Sequence, residues 1–324
     1  MFAHRYDIRG LTFQVEIQFR MGKRLHVKLR GGLGNQLHIF IASWVIGKSI
    51  GKGLRLDGRY ISWSGSNPDR RMEIYKFCLP SINQIETHSL LSFPSFTRVP
   101  KLRLAILTFV DAINSRKSAA KHPGDSWVNL DHILEYCNDK GSIEGHFLDL
   151  RWVQRAYEMG FPDFLALSNG SEVELFFEAS EEKQCAIHVR LTDYLKYSHI
   201  FAQLSEDYYL NAIMLFRQKG YREFILFSDD VEALKVHFPR LAKDTNIKIV
   251  PSQLSTTESF YHMHRCSAII TANSTFSTLA AMFIWRRGGD VVSPNKRYVV
   301  SPSEDYWVPA EWIVLDSHSG TAVK

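Results

Sequence analysis

The sequence has few cysteines, and none of them lie close together. Its 324 residues include only Cys78, Cys137, Cys185 and Cys266, with no Cys-x-x-Cys spacing. We therefore expect neither a disulfide framework nor a zinc cage built on thiolates, and a reducing cytoplasm is the expected compartment.

Long apolar runs are also missing. Residues 1–22 contain no apolar stretch of signal-peptide length, and nothing elsewhere runs about 18 residues without a polar break. We expect no secretory leader and no membrane-spanning helix. Residues 1–22 are interpreted as an extension ahead of the folded unit.

A strong excess of one charge is absent as well. The net charge is +5, which is too small and too dispersed for a nucleic-acid partner but suits an anionic small ligand or an acidic membrane surface. With 45% hydrophobic and 23% charged residues, the chain has enough apolar material for a large core. Its length predicts roughly two domains of about 150 residues.

What the sequence does contain is an alternation of strands and helices. Residues 25–29 predict a strand that leads through a glycine turn into an apolar helix. In the second half, strands that begin at Ala186, Phe224, Ile247, Ala268 and Asp290 alternate with helices, which predicts an α/β fold with a parallel sheet. The predicted domains are 23–165, on the acceptor side, and 166–324, which binds the donor.

Two segments of the first half are less regular. Residues 58–100 read as loops, and residues 101–121 predict a helix with basic residues near its ends, among them Lys101 and Arg103. This helix either packs within the first domain or touches anionic lipid.

Polar side chains follow three of the predicted strands at the point where each strand ends. In open parallel sheets, ligands bind outside the carboxyl ends of the strands. A helix N-terminus there offers free N–H groups to an anion. The pattern predicts a nucleotide-diphosphate site. Its members are Arg190, Thr192, Asp193, Ser228, Asp229, Asp230, Asn273, Ser274 and Thr275.

Four segments together resemble glycosyltransferase family 11, the α-1,2-fucosyltransferases. They are RGGLGNQLHIF (30–40), IHVRLTDYL (187–195), ILFSDD (225–230) and ITANSTFSTLAAMF (270–283), in the family's order. The resemblance implies a GT-B enzyme, with two Rossmann-like domains facing a cleft. It also implies inverting transfer of fucose from GDP-fucose without a metal ion or another cofactor.

The resemblance also implies roles for individual residues. His188 would contact the guanine side of the donor, Arg190 the β-phosphate, and Ser274 and Thr275 the phosphates from their helix start. In the first domain, the loop residues would lie against the pyrophosphate or the sugar; these are Gly32, Gly34, Asn35 and Gln36.

The chain departs from the family pattern in two places. Where many relatives have a second arginine and a glycine after Arg190, this chain has Leu191 and Thr192, so one cation stands in place of two. Where a Ser-Trp-Trp-Gly run is common, it has residues 277–280, Ser-Thr-Leu-Ala.

Several candidate residues have a second, structural interpretation. Arg190 binds either a donor phosphate or an internal carboxylate, that of Asp193 or Asp229. Asp193 acts either as the general base or as a support for Arg190 or a helix cap. Asp229 and Asp230 have three interpretations: they contact the ribose, they order a loop, or they hold a metal ion.

The remaining alternatives concern histidines and the glycine loop. His188 is either a donor ligand or a satisfied core histidine. His262 and His264 are two apart on a predicted helix, about 200° around its axis, so they cannot share one metal. The GGLGNQ loop lacks the full dinucleotide-binding spacing, and its other interpretation is a tight strand–helix turn.

We expect an α-1,2-fucosyltransferase, bacterial and cytoplasmic, that acts in O-antigen or similar glycan synthesis. The expected acceptor is a galactose-containing glycan, either free or linked to a lipid, with peripheral contact at the inner membrane. One alternative is an enzyme on the same scaffold that uses another GDP-sugar or forms another acceptor linkage. The other is a non-catalytic glycan- or nucleotide-binding module.

Overall fold

A computed structural model describes residues 7–8, 11–12, 24–58, 61, 71–80, 84–86, 130–143, 145–168, 183–299 and 308–323. The helix predicted over 101–121, with Lys101 and Arg103, lies outside the described residues. Within 1–22, strands β1 (Asp7–Ile8) and β2 (Leu11–Thr12) pair antiparallel.

The first layer contains a four-stranded parallel sheet. Its strands are β3 (Leu25–Lys28), β4 (Leu54–Asp57), β5 (Gln84–Glu86) and β6 (Ser142–Ile143), in the order β5-β4-β3-β6. The helices are α1 (Leu33–Ser49), α2 (Leu130–Lys140) and α3 (Arg151–Glu158), and a 3-10 turn covers Ile74–Lys76. The strand–turn–helix predicted at 25–49 is confirmed. Strand β5 lies where the sequence was interpreted as loops.

The second layer contains a six-stranded parallel sheet. Its strands are β7 (Gln184–Val189), β8 (Glu223–Ser228), β9 (Ile247–Ile249), β10 (Ala268–Ile270), β11 (Asp290–Pro294) and β12 (Ile313–Leu315). The order is β12-β11-β10-β7-β8-β9. The five strands predicted from the alternating pattern are confirmed. Strand β12 was missed because three residues carry too short a pattern to recognise.

Helices connect these strands. They are α4 (Thr192–Lys196), α5 (Glu206–Gln218), α6 (Val231–His237), α7 (Pro239–Lys243), α8 (Thr256–Met263) and α9 (Thr275–Arg286). Ser205 caps α5 by accepting a hydrogen bond from the Tyr208 amide at 3.1 Å. Helices α6 and α7 are separate because Pro239 has no N–H to continue the helical hydrogen bonds from α6.

Two apolar helices, α1 and α9, meet between the sheets. Helix α1 is buried on almost every side, and it packs against α3 and α9. One hydrophobic cluster contains Phe40 and Ile41 of α1 together with Leu279 and Phe283 of α9. The predicted class, α/β with two facing Rossmann-like layers, is confirmed. The domain boundary at 165/166 remains a prediction.

None of the described helices is both long and apolar enough to cross a bilayer.

Candidate active site

A cavity of about 980 Å³ lies between the two layers. The first layer contributes the start of α1 and the loop that carries His146. The second contributes residues that follow β7, β8, β10 and β11, all at the carboxyl edge of the sheet. Eleven of the predicted site residues line this cavity: Gly32, Gly34, Asn35, His188, Arg190, Asp193, Ser228, Asp229, Asp230, Ser274 and Thr275.

The cavity opens at the topological switch point of the six-stranded sheet. From β7 the chain proceeds through β8 to β9 on one side and then returns to place β10 on the other. The connections after β7 and β10 therefore diverge and leave a crevice between the two strands. Arg190 follows β7, and Ser274 follows β10, so both residues flank this crevice.

Two helix N-termini meet at this crevice. The Thr275 hydroxyl donates to Oδ1 of Asn35 at 2.8 Å, which joins the start of α9 to the start of α1. A Cβ on Gly34 would lie 2.7 Å from the amide nitrogen and 2.8 Å from the Cα of Phe276. The glycine predicted to let a pyrophosphate approach therefore also lets the two helices approach each other.

The first backbone amides of α1 have no hydrogen-bond acceptor among the described residues. Gly32 is the N-cap residue and offers no side chain, and the first turn contains no acidic residue. In the described part of the chain, no hydrogen-bond acceptor serves the amides of Leu33, Gly34 and Asn35. Unpaired amides at the N-terminus of a 17-residue helix attract an anion.

Arg190 is held by two carboxylates. Its Nε donates to Oδ1 of Asp193 at 2.8 Å, and its Nη1 lies 3.2 Å from Oδ2 of Asp229. Burial alone would lower the pKa of Arg190. The nearby Asp229 and Asp193 carboxylates together have the larger, opposite effect, so the pKa is raised above its ordinary value and the guanidinium stays charged. The internal ion pair that the sequence left as an alternative is present, and Arg190 nevertheless lines the cavity.

Asp229 organises the start of α4. Its two oxygens accept from the amides of Leu191 at 2.8 Å and Thr192 at 3.2 Å, and from the Thr192 hydroxyl. With Arg190 as a fourth partner, the carboxylate has little capacity left for a ribose. The loop-ordering interpretation describes this residue.

Asp230 and Ser228 support the next turn. Asp230 caps α6 by accepting from the Ala233 amide at 2.8 Å. The Ser228 hydroxyl accepts from the Asp230 amide at 3.2 Å and lies 3.1 Å from its carbonyl oxygen. Both side chains line the cavity wall while they stabilise it.

His188 lies on β7 and borders the cavity. Its Nδ1 is buried and has no hydrogen-bond partner in the described part of the chain, and its ring lies 5.4 Å from that of Phe276. Burial, with a contribution from Arg190, lowers the pKa of His188 to about 3 against the opposing effect of Asp229 and Asp193. The imidazole is neutral near pH 7, so it offers one donor and one acceptor nitrogen.

Two predicted donor-binding residues do not line the cavity. Gln36 is fully buried: its amide donates to the carbonyl of Arg71 at 2.9 Å, and its oxygen accepts from the Glu73 amide at 3.0 Å. Asn273 is also fully buried and donates to the carbonyls of Ala202 at 2.8 Å and Arg297 at 3.0 Å. Both amides hold backbone segments behind the cavity wall, so the expectation of donor contact is corrected for them.

An arginine and a set of aromatic residues at the cavity were not predicted from the sequence. Arg297, which is buried, and Tyr298 follow β11 and line the cavity. The rule that selects strand ends, applied to β11 as well, would have found them. Tyr194 and Phe201 stack face to face at 4.3 Å beside Tyr298. The loop carrying His146 was also missed.

No group of three histidine, cysteine, aspartate or glutamate residues suited to a metal ion occurs in the described ranges. The ring of His264 stacks on Phe164 at 4.8 Å, and its Nδ1 is 2.9 Å from the Phe260 carbonyl.

The arrangement is suited to an anionic ligand that enters between two layers. Unpaired helix amides and two arginines border the cavity, and aromatic residues line one side of it. Two parallel α/β layers that face each other across such a cavity define the GT-B class of glycosyltransferases.

Comparison with known proteins identifies the family. The model of glycosyl transferase family 11 matches residues 152–315. The chain belongs to this family, and its activity is glycosyl transfer.

The individual proteins that the chain resembles share less than a quarter of its residues in the aligned regions. The chain is similar to an O-antigen biosynthesis glycosyltransferase, WbnK, from Escherichia coli, with 24% identity over 285 residues that cover 83% of this chain and 93% of WbnK. Among solved structures it resembles the α-1,6-fucosyltransferase NodZ soaked with GDP-fucose, at a TM-score of 0.44 and 14% identity over 81% of this chain and 93% of NodZ. It also resembles a family 9 glycosyl transferase from Veillonella parvula, at a TM-score of 0.44 and 12% identity over 91% and 87% of the two chains.

Proposed function

We propose that the protein transfers L-fucose from GDP-β-L-fucose to the 2-hydroxyl of a terminal galactose and forms an α-1,2 linkage. Membership of family 11 supports glycosyl transfer, and the four ordered motifs support this donor and linkage. The observation that carries the proposal is the convergence of Arg190, the start of α1 and the start of α9 on one cavity at the switch point.

The reaction needs stabilisation of a departing anion. The acceptor hydroxyl attacks the anomeric carbon, the bond from that carbon to the β-phosphate oxygen breaks, and the electron pair leaves with GDP. Attack from the face opposite the leaving group inverts the configuration from β to α. Negative charge grows on the β-phosphate, where a fixed guanidinium and helix amides stabilise the transition state more than the ground state.

Arg190 is suited to this role because its orientation is fixed before the donor binds. Asp193 and Asp229 hold two of its nitrogens, and the rest of the guanidinium edge is available to a phosphate oxygen. The arginine therefore does not have to reorganise as charge develops.

Asp193 has two roles to be separated. Its contact with Arg190 makes it a positioning residue, and its place on the cavity wall also lets it accept the proton of the acceptor hydroxyl. If it is the base, Asp193→Asn abolishes the acidic limb of the kcat/KM profile. If it only positions Arg190, the limb remains and kcat falls.

The proposed reaction uses neither a metal ion nor another cofactor. Arginine and amide groups neutralise the pyrophosphate in this proposal, whereas a metal would need a carboxylate cluster with free oxygens. Asp229 and Asp230 line the cavity, but both oxygens of Asp229 and Oδ1 of Asp230 already accept protein hydrogen bonds.

We further propose a bacterial, cytoplasmic setting in which the acceptor is an O-antigen or similar glycan precursor, free or lipid-linked. The name of the WbnK relative supports this setting. Peripheral contact with the inner membrane belongs to the same proposal and follows from the lipid-linked acceptor.

The test is GDP release from a panel of GDP-sugars, with galactose-terminated and galactose-free acceptors, in the presence and absence of EDTA. We expect release that requires both GDP-fucose and a galactoside and is unaffected by EDTA, and a product with an α-1,2 linkage by NMR. Turnover with a different GDP-sugar, or GDP-fucose binding without turnover on any acceptor, contradicts the proposal.

A further inference from the structure

Arg297 lies at the same sheet edge as the site residues. It follows β11 (Asp290–Pro294), at the carboxyl edge of the six-stranded sheet, and its side chain lines the cavity. The residue is only 8% exposed and therefore buried, whereas Arg190, the other arginine of the cavity, is partly exposed.

Among the described residues, the Arg297 guanidinium has no counter-ion. Within the described residues no carboxylate lies within 4.0 Å of it, and its one close partner is the ring of Tyr298, whose centroid is 5.8 Å from the guanidinium carbon. Arg190 by contrast has two carboxylate partners. An unpaired buried charge is costly, so its presence in a cavity wall indicates an anionic ligand.

The backbone of Arg297 is fixed from behind. The fully buried Asn273 amide donates to the carbonyl of Arg297 at 3.0 Å and to that of Ala202 at 2.8 Å. The Arg297 carbonyl also accepts from the Ala202 amide at 3.2 Å. The backbone at Arg297, three residues beyond the end of β11, is therefore anchored to Asn273 after β10 and to Ala202.

The charges near Arg190 do not suffice for a diphosphate. Arg190 with Asp193 and Asp229 carries one positive and two negative formal charges, which leaves a net charge of −1. Asp230 and Glu232, which also line the cavity, add two negative charges. Arg190 therefore leaves the charge of a diphosphate largely uncompensated, and Arg297 is the cavity arginine that has no carboxylate partner among the described residues.

Arg190 and Arg297 both lie near the Tyr194 hydroxyl. Both guanidinium groups act to lower the pKa of the buried Tyr194 hydroxyl, although burial raises that pKa overall. Tyr194 donates to the Asn273 carbonyl at 3.1 Å, so the hydroxyl marks the crevice between β7 and β10.

We propose that Arg297 binds the diphosphate of the nucleotide-sugar donor, together with the free amides at the start of α1. The residue directly after Arg190 is the buried Leu191, so the second arginine that lines the cavity is Arg297. This inference rests on the proposed use of a nucleotide-sugar donor, but it does not depend on the identity of the base or the sugar.

The test compares Arg297→Gln with Lys296→Gln, which removes a neighbouring exposed cation that does not line the cavity. Calorimetric titration uses GDP, UDP, inorganic pyrophosphate and guanosine. We expect Arg297→Gln to weaken GDP and pyrophosphate binding at least about tenfold and to leave guanosine binding unchanged. Lys296→Gln should bind every ligand as the wild type does.

Thermal unfolding of the ligand-free protein gives a second readout. Because Arg297 is buried and has no counter-ion in the described ranges, we expect Arg297→Gln to unfold at the same temperature as the wild type or at a higher one. GDP affinity within twofold of the wild type, an equal loss of guanosine binding, or a marked loss of stability overturns the assignment. If Arg297→Gln does not fold, the assignment also fails, because the charge is then satisfied within the protein.

The outcomes separate this inference from the proposed function. Binding of UDP in preference to GDP, with the same dependence on Arg297, removes GDP-fucose as the donor and supports the diphosphate site. GDP binding and fucosyl transfer that do not depend on Arg297 support the function and remove this site.

Discussion

Thr275 and Asn35, which are 240 positions apart in the chain, form a 2.8 Å hydrogen bond that joins the N-termini of two helices from different layers. Two positive helix ends in contact repel each other mildly, and an anion between them relieves that repulsion. The contact therefore both assembles the cavity and gives it its preference for a negative ligand.

Gly34 tests this assembly. In Gly34→Ala the new Cβ meets the amide and Cα of Phe276 at 2.7 and 2.8 Å, so α1 and α9 must move apart. We expect a loss of about 1–3 kcal/mol in the free energy of unfolding, measured with denaturant, and a larger proportional loss of kcat/KM. Gly32→Ala is the matched control for stability, because a Cβ there meets no atom within 4 Å. Equal stability of the two variants would contradict the close contact.

Arg190 is expected to contribute mainly to catalysis. Arg190→Gln should lower kcat by about 10²–10³, the usual effect of removing one preorganised group that stabilises the transition state. The same substitution should also destabilise the fold, because Asp193 and Asp229 lose the cation that they share. Arg217→Gln is the control, since Arg217 pairs with Asp244 at 2.8 Å and does not line the cavity. A change in KM without a change in kcat would contradict the assignment.

Asp229 is expected to act through Arg190 and α4. In Asp229→Asn an amide NH₂ replaces one oxygen and faces the donors of Leu191 and Thr192. We expect a loss of about 1–3 kcal/mol in unfolding free energy together with reduced kcat. The control is Asp244→Asn. Asp244 has a similar exposure and also accepts from an arginine and a backbone amide, but it does not line the cavity. Stability should fall there, and kcat should not.

The stability of the protein should fall in mild acid. Burial lowers the pKa values of His38, His188 and His264 to about 3 from an ordinary value of 6.5. Below pH 6.5 the unfolded chain takes up protons that the folded chain does not bind, so the free energy of unfolding falls by about 1.4 kcal/mol per pH unit for each histidine.

His264→Phe isolates one of these histidines outside the cavity. The variant should reduce the slope of unfolding free energy against pH, between pH 6 and 4.5, by about one histidine's share. The slope is obtained from denaturant unfolding at several pH values. An unchanged slope would show that His264 takes up its proton in the folded state.

Part of the site follows from the sequence because a local rule identifies it. Arg190, Ser274 and Thr275 stand where strands end, and parallel strands bring their ends to one edge. Arg297 satisfies the same rule, because it follows β11 at that edge and lines the cavity.

Other features depend on contacts between distant segments. Gln36 belongs to a polar, glycine-rich motif that looks exposed to ligand, yet its amide is used by the backbone of Arg71 and Glu73. The close approach of Gly34 to Phe276 and the pairing of Asp229 with the start of α4 join segments tens to hundreds of residues apart. No local pattern encodes such contacts, so the structure is needed to find them.

The most direct measurement is a crystal structure of the complex with GDP. We expect the diphosphate to lie in the crevice between β7 and β10, with oxygens bonded to the amides of Leu33 and Gly34 and to the guanidinium of Arg297. A diphosphate bound along Ser228 and Asp230, with no contact to the start of α1 or to Arg297, would contradict this placement.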